Sequence, residues 1–331
     1  MSGYHNRMVS VAPMMDWTDR HCRFFLRLIS KRAWLYTEMV TSSALLYGDA
    51  QRFLRFDHAE HPVALQLGGS EPGDLAKASK LGEDYGYDEI NLNLGCPSDR
   101  VQQGRFGACL MREPDLVASC LDAIQSAVSL PITIKCRLGV DEMEGFDPLR
   151  RFVSKMRDAG CRTIILHARK ALLNGLSPKE NREIPPLHPE MGYQLKQEFP
   201  DLEIILNGGI THLDEAEKHL NAGVDGIMLG RAAYQDPYVL AEVDHRFYGD
   251  AVSMPSRTQI IAGLEPYIDR HLSEGGRLWD VARHVLGLAN GLRGARNFRR
   301  LISEGAREPG ADFRLLADAI QLVEEKPALA A

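Results

Sequence analysis

No run of apolar residues in this chain is long enough to span a bilayer. The opening residues lack the basic-then-apolar pattern of a secretory signal. The six cysteines (Cys22, Cys96, Cys109, Cys120, Cys136 and Cys161) form no CxxC pair and no zinc-ligand spacing. Reduced thiols in a cytoplasmic protein, with no metal, are therefore expected. Nor is there an excess of basic residues: 39 Lys and Arg stand against 45 Asp and Glu, a formal net charge of −6. Bulk electrostatics thus argues against nucleic acid, and any polyanion-binding face must be local. A glycine-rich dinucleotide fingerprint is absent too. What is present is an ordinary globular composition, 44% hydrophobic over 331 residues, enough for one large domain and a smaller one.

From Val9 to about Tyr234, short apolar runs alternate with helix-patterned segments. The runs are Val9–Ala12, Trp34–Thr37, Val63–Gln66, Glu89–Leu92, Ile132–Cys136, Thr163–His167, Glu203–Leu206 and Gly226–Leu229. Several are nearly continuous in apolar residues, as parallel strands buried on both faces should be. Between them lie amphipathic stretches such as Asp74–Tyr85, Pro114–Ala127, Phe146–Ala159 and Leu213–Ala222, the last two stopped by Gly160 and Gly223. Eight strand–helix units predict an α/β fold, the TIM (β/α)8 barrel, over residues 1–248.

In such a barrel every strand exit faces one mouth. The exits read Pro13-Met14-Met15, Glu38-Met39, Gln66, Asn93 with Cys96, Lys135 with Arg137, His167 with Arg169, Asn207-Gly208-Gly209 and Gly230-Arg231. Singly, each has a plain explanation. Lys135 could snorkel to the surface, His167 could be a satisfied core histidine, Gln66 could tie down a loop, and Cys96 could be a small buried hydrophobe. Polar residues at seven of these eight exits argue instead for a site. The run Asn91-Leu92-Asn93-Leu94-Gly95-Cys96-Pro97 is the most informative, because Gly95 and Pro97 hold a cysteine at a strand end. The exits of the last two strands combine glycine-exposed N–H groups with one guanidinium, the usual phosphate site of this barrel.

Together these motifs resemble the tRNA-dihydrouridine synthases, from Pro13-Met14-Met15-Asp16 and Gln66-Leu67-Gly68-Gly69 through Lys135-Cys136-Arg137 and His167-Ala168-Arg169 to Asn207-Gly208-Gly209. The segments Gly175–Leu187 and Gly294–Arg300 are similar to the bacterial A subfamily. The resemblance implies reduction of uridine in the D-loop of tRNA, around tRNA positions 20 and 20a, with bound FMN and with NADPH as electron donor. It implies that Pro13, Met14, Met15, Gln66, Lys135 and His167 line the flavin. Asn207, Gly208, Gly209, Gly230 and Arg231 would hold its phosphate, and Asn93 would touch the target nucleotide. Cys96 would be the catalytic acid: flavin N5 gives a hydride to C6 and the thiol protonates C5. A free thiol has a pKa of about 8.5 and is mostly protonated near neutral pH. A lysine at a barrel strand end could alternatively form a Schiff base, but Cys96 and Asn93 would then have no task.

After a linker at about 249–257, helical periodicity resumes and predicts a small all-helical domain over 258–331. Between Val281 and Ser303 stand Arg283, Arg293, Arg296, Arg299 and Arg300 with no acid. A solvated helix face is the plain reading; a phosphate-binding surface is the sharper one. With Lys179 and Arg182, which follow the sixth strand, Arg293, Arg296, Arg299 and Arg300 are the expected tRNA contacts. Two other functions fit part of the pattern. A flavin oxidoreductase of free pyrimidines, dihydroorotate dehydrogenase-like, leaves the helical domain without use. A tRNA-folding factor without catalysis leaves Cys96 and the flavin residues without use.

Overall fold

The structure is a computed structural model that describes residues 7–251 and 253–323. Short runs rich in branched apolar residues, buried at nearly every position, form nine parallel strands. They are β1 (Val9–Val11), β2 (Leu35–Tyr36), β3 (Val40–Thr41), β4 (Val63–Gly68), β5 (Glu89–Leu94), β6 (Ile132–Arg137), β7 (Thr163–His167), β8 (Glu203–Asn207) and β9 (Gly226–Leu229). Their order is β1-β9-β8-β7-β6-β5-β4-β2, with β3 pairing β4 off this path. A parallel bridge between Ser10 and Trp34 joins β1 to the chain entering β2. Val11 N donates to Trp34 O at 2.9 Å and Trp34 N to Val9 O at 3.0 Å, which brings the ring around. All eight expected strands are present, and the ring they form is TIM-barrel-like; β3 is the additional one.

The interior is more polar than near-continuous apolar runs suggested. Ala12, Trp34, Tyr36, Ala64, Ile165, Ile205 and Met228 form one apolar cluster. Among the other buried side chains of the strands are the polar or charged Gln66, Glu89, Asn91, Thr133 and Arg137. Strand register lines several of them up, Gln66 beside Asn91 and Asn91 beside Thr133. Each finds its partner one strand away, which is how a buried polar group avoids its desolvation cost.

The described chain divides into two compact units. One holds the chain to Asp16 and Trp34–Gly230; the other holds Trp17–Ala33 and the chain from Arg231 on. This differs from the expected boundary near 249–257. Helix Arg20–Ile29, the first helix after β1, belongs with the C-terminal helices because its buried face matches theirs. Phe24 stacks on Tyr267 with ring centroids 4.0 Å apart. Asp19, which caps that helix through the N–H groups of His21 and Cys22, also pairs with Arg283 and lies 3.0 Å from His284 Nε2. Helices Arg231–Gln235 and Val243–Tyr248 fall in the same unit. Residues 324–331 of the expected helical domain lie outside the described residues. Among the described residues no helix is long and apolar enough to cross a membrane, and no group of three or more His, Cys, Asp or Glu could hold a metal ion.

Candidate active site

At the C-terminal end of β5 the chain leaves the ladder, and Asn93 takes over the loop that follows. Its Oδ1 accepts from Gly95 N at 3.1 Å and Cys96 N at 3.0 Å. An asparagine side chain closing a turn on its own downstream backbone is a common local device. Here it fixes the peptide that carries the thiol. Cys96 is half-buried, with Sγ 3.6 Å from Ser98 Oγ. Its carbonyl accepts from Ala108 N at 2.9 Å. That approach requires Gly107, at φ +74°, because a Cβ there would sit 2.6 Å from the Cys96 oxygen.

The Asn93 amide is oriented by what it holds. With Oδ1 committed to two N–H groups, Nδ2 donates to Gln66 Oε1 at 2.8 Å. Gln66 Nε2 then donates to Asn91 Oδ1 at 2.7 Å, and Asn91 Nδ2 to Thr133 Oγ1 at 2.8 Å. The Thr133 hydroxyl donates to Glu89, which also receives Tyr36 OH at 3.0 Å and Arg7 Nε at 2.8 Å. Burial pushes the Glu89 carboxyl above its ordinary range. Three converging donors nevertheless hold it as the acceptor-only carboxylate. Every amide in this chain therefore has one allowed orientation, from Glu89 to the Cys96 loop.

A second group gathers positive charge. Lys135 Nζ donates to Asn207 Oδ1 at 3.1 Å, and Asn207 Nδ2 donates to Met228 O at 2.8 Å. Burial, then neighbouring Arg137, brings the Lys135 ammonium down to about 8. Arg137 is 3% exposed and binds only backbone carbonyls: Gly95 O through Nε at 3.0 Å, and Asn181 O through Nη1 at 2.8 Å with Lys170 O at 3.3 Å. Burial and the charges of Arg182 and Arg169 bring it to about 10. His167 is held far below its usual range by burial and by Arg137, Lys135, Arg169 and Arg182, so it is a neutral imidazole. Neither Lys135 nor Arg137 has a carboxylate partner, so this wall favours an anion.

The remaining expected residues are placed as follows. Gly208 and Gly209, at φ +111° and +77°, turn the chain beside His167; a Cβ on Gly208 would lie 2.7 Å from His167 Cδ2. Pro13 and Met14 are half-buried where β1 ends, Met14 against the apolar cluster, and Met15 is 55% exposed. Gly230 is the last residue of the first unit, and Arg231 belongs to the second. Lys179 and Arg182 are exposed in the loop after β7. In the helical unit, Arg293, Arg296, Arg299 and Arg300 are exposed. Arg283 is engaged by Asp19. Of the other cysteines, Cys22, Cys120, Cys136 and Cys161 are buried, and burial pushes Cys136 and Cys161 up to about 12. They are inert thiols.

Sequence reading missed Glu89, Asn91 and Thr133, and the supporting roles of Arg137, Asn181 and Gln102. One signal was available: polar residues at Glu89, Asn91 and Asn93 recur with the period of a strand face.

Residues 10–324 match the family described as Dihydrouridine synthase (Dus). A protein from Pseudomonas putida named tRNA-dihydrouridine(20/20a) synthase is 55% identical over 319 residues, covering 96% of this chain and 95% of its own. Its namesake from Escherichia coli O6:H1 is 52% identical over 318 residues, covering 96% of each chain. Among solved structures, morphinone reductase shares the fold with a TM-score of 0.52 at 12% identity, over 76% of this chain and 88% of that one. The chain belongs to the dihydrouridine synthase family.

Proposed function

We propose that this protein reduces the C5=C6 bond of uridine in the D-loop of tRNA, at positions 20 and 20a, using bound FMN and NADPH as the electron donor. The observation that carries the reading is Cys96, a half-buried thiol whose peptide is pinned by Asn93 at a strand end, near the cationic pair Lys135 and Arg137. Relatives that match nearly end to end bear the name of that activity.

The residues present fit an FMN. Arg137 is a buried cation and Lys135 a half-buried one, neither with a carboxylate, which suits an anionic ligand. Gly208 and Gly209 carry no side chain where a Cβ would collide with His167 and Leu187, and beside Gly230 nothing lies within 4 Å of where a Cβ would stand. Pro13, Met14, Met15, Gln66, Lys135 and His167 would line the ring system. Asn207, Gly208, Gly209 and Gly230 would meet the phosphate, and Arg231 joins this set on the sequence reading alone. When bound, FMN supplies the hydride for C6 of the uracil.

The chain's own residues do the rest. The Cys96 thiol donates the proton to C5, and Asn93 fixes where it is donated from. One N–H of the Asn93 amide remains for the base, since its oxygen and its other N–H are committed. Neutral His167 can both donate and accept near the cations.

The target base must leave its stack, which costs a few kcal/mol that RNA contacts elsewhere must return. Lys179, Arg182, Arg293, Arg296, Arg299 and Arg300 are the proposed contacts. Arg296, Arg299 and Arg300 enter none of the ion pairs among the described residues, whereas Arg32, Arg105, Arg112 and Arg150 each pair with an acid. Incubation of the protein with NADPH and unmodified tRNA, followed by nucleoside mass spectrometry, tests the function. Dihydrouridine in the D-loop is the expected product; reduction of free uridine at the same rate, or no reduction, would reject it.

A further inference from the structure

Cys96 sits in a short irregular stretch whose backbone polar groups are all accounted for. Gly95 N and Cys96 N donate to Asn93, and Cys96 O accepts from Ala108 N. Two carbonyls remain, one on each side of the cysteine. Gly95 O accepts from Arg137 Nε at 3.0 Å, and Pro97 O accepts from Gln102 Nε2 at 3.0 Å.

Both of those donors also grip the loop after β7. Gln102 Nε2 donates to Leu173 O at 2.8 Å, so both hydrogens of its amide are used. Arg137 Nη1 donates to Asn181 O and Lys170 O. That loop is itself knotted around Asn181, which is fully buried. Asn181 Oδ1 accepts from Leu172 N and its Nδ2 donates to Leu172 O, each at 2.8 Å. Beside this knot stand the exposed cations Lys179 and Arg182.

We propose that Gln102 is a positioning residue which, with Arg137, clamps the loop bearing Lys179 and Arg182 to the two carbonyls flanking Cys96. RNA held by one loop thereby fixes the thiol on the other. The proposal rests on the tRNA-reducing function above, and it adds a physical link between substrate contact and proton delivery. Two independent side chains make the same bridge on opposite sides of one residue, which packing of either loop alone would not require.

The test replaces Gln102 in the full-length protein with Leu, which keeps the bulk and removes both donors, and with Lys, whose ammonium can reach two carbonyls. Three quantities are read: single-turnover base reduction at saturating tRNA, tRNA affinity, and iodoacetamide alkylation of the Cys96 peptide by mass spectrometry without tRNA. For Gln102→Leu, loss of a hydrogen-bonded restraint is expected to slow reduction about tenfold and speed Cys96 alkylation several-fold. Affinity should stay within about twofold, and Gln102→Lys should recover part of both changes. An unchanged turnover rate or an unchanged alkylation rate overturns the clamp. A loss confined to tRNA affinity also overturns it, because Gln102 would then be an RNA contact. If the wild-type protein reduces no tRNA, the proposed function falls, and alkylation alone decides whether the clamp exists.

Discussion

Asn93 holds Cys96 by its backbone. The Asn93 carboxamide oxygen lies 3.0 Å from Cys96 N and 3.1 Å from Gly95 N. The thiol is thus presented by a side chain anchored within the barrel strand, while the loop beyond it contributes little regular structure. This relationship separates two functions that share one short motif: delivering a proton and deciding from where it is delivered.

Cys96→Ala is therefore expected to fold, keep its yellow flavin and lose base reduction by about 10²–10⁴-fold, the usual span for a positioned acid. Single-turnover kinetics with pre-reduced enzyme measures it. Asn93→Ala should also slow the step, because the thiol is still present but its peptide is no longer held. A Cys96→Ala enzyme with wild-type turnover would remove the acid role altogether.

Thr133→Val tests the hydrogen-bond chain beneath the site. The substitution keeps the shape and strands both the Asn91 donor and an acceptor site on Glu89. A cost of about 1–3 kcal/mol is expected for buried groups left unpaired. Urea denaturation should show the midpoint falling, with Thr133→Ser close to wild type. Equal midpoints for Val and wild type would mean that water or rearrangement satisfies those groups.

Acid should loosen the helical unit. Burial lowers His21 from 6.5 to about 3, and Arg20, His271 and His284 add to the effect while Asp19 opposes it. The unfolded chain takes up a proton near pH 6.5 that the folded chain refuses until about pH 3. Stability from this group is full above pH 6.5 and declines as pH falls through that window. Asp19 acts in the same direction at lower pH. Burial pushes it up, but the His284 imidazole 3.0 Å away and the hydrogen bond from Cys22 N hold it well below the carboxylate range, so its contribution is lost once acid protonates it. Thermal melts between pH 4 and 7 should show Tm dropping with pH, and less so in His21→Gln. A His21→Gln profile parallel to wild type would assign the slope elsewhere.

Arg299→Ala combined with Arg300→Ala is expected to weaken tRNA binding without loss of flavin. The slope of log affinity against log salt should shrink by about 1.5, for two phosphate contacts removed. Helix Ala295–Gly305 buries Ala295, Phe298 and Ile302 on its other face, so the fold should be unaffected. Filter binding across a salt series gives both numbers, and an unaltered slope would exclude this face from the RNA interface.

The amino-acid order alone determined the barrel, because eight apolar runs separated by capped, amphipathic segments admit few other arrangements. It also pointed to the strand exits, since Asn93, Cys96, Lys135, His167 and Asn207 each lie at or just past the end of a legible strand. Tertiary structure decided the partners. The Gln66–Asn91–Thr133–Glu89 chain depends on parallel register between strands dozens of residues apart, and no local pattern encodes register across a crossover. Helix Arg20–Ile29 falls within the stretch assigned to the barrel, and only the stacking of Phe24 on Tyr267 places it with the C-terminal helices. Arg283 reads as one more cation in a basic run until Asp19 neutralises it. Side-chain identity records what a residue can bond, whereas folding across distant segments determines which of those bonds are made.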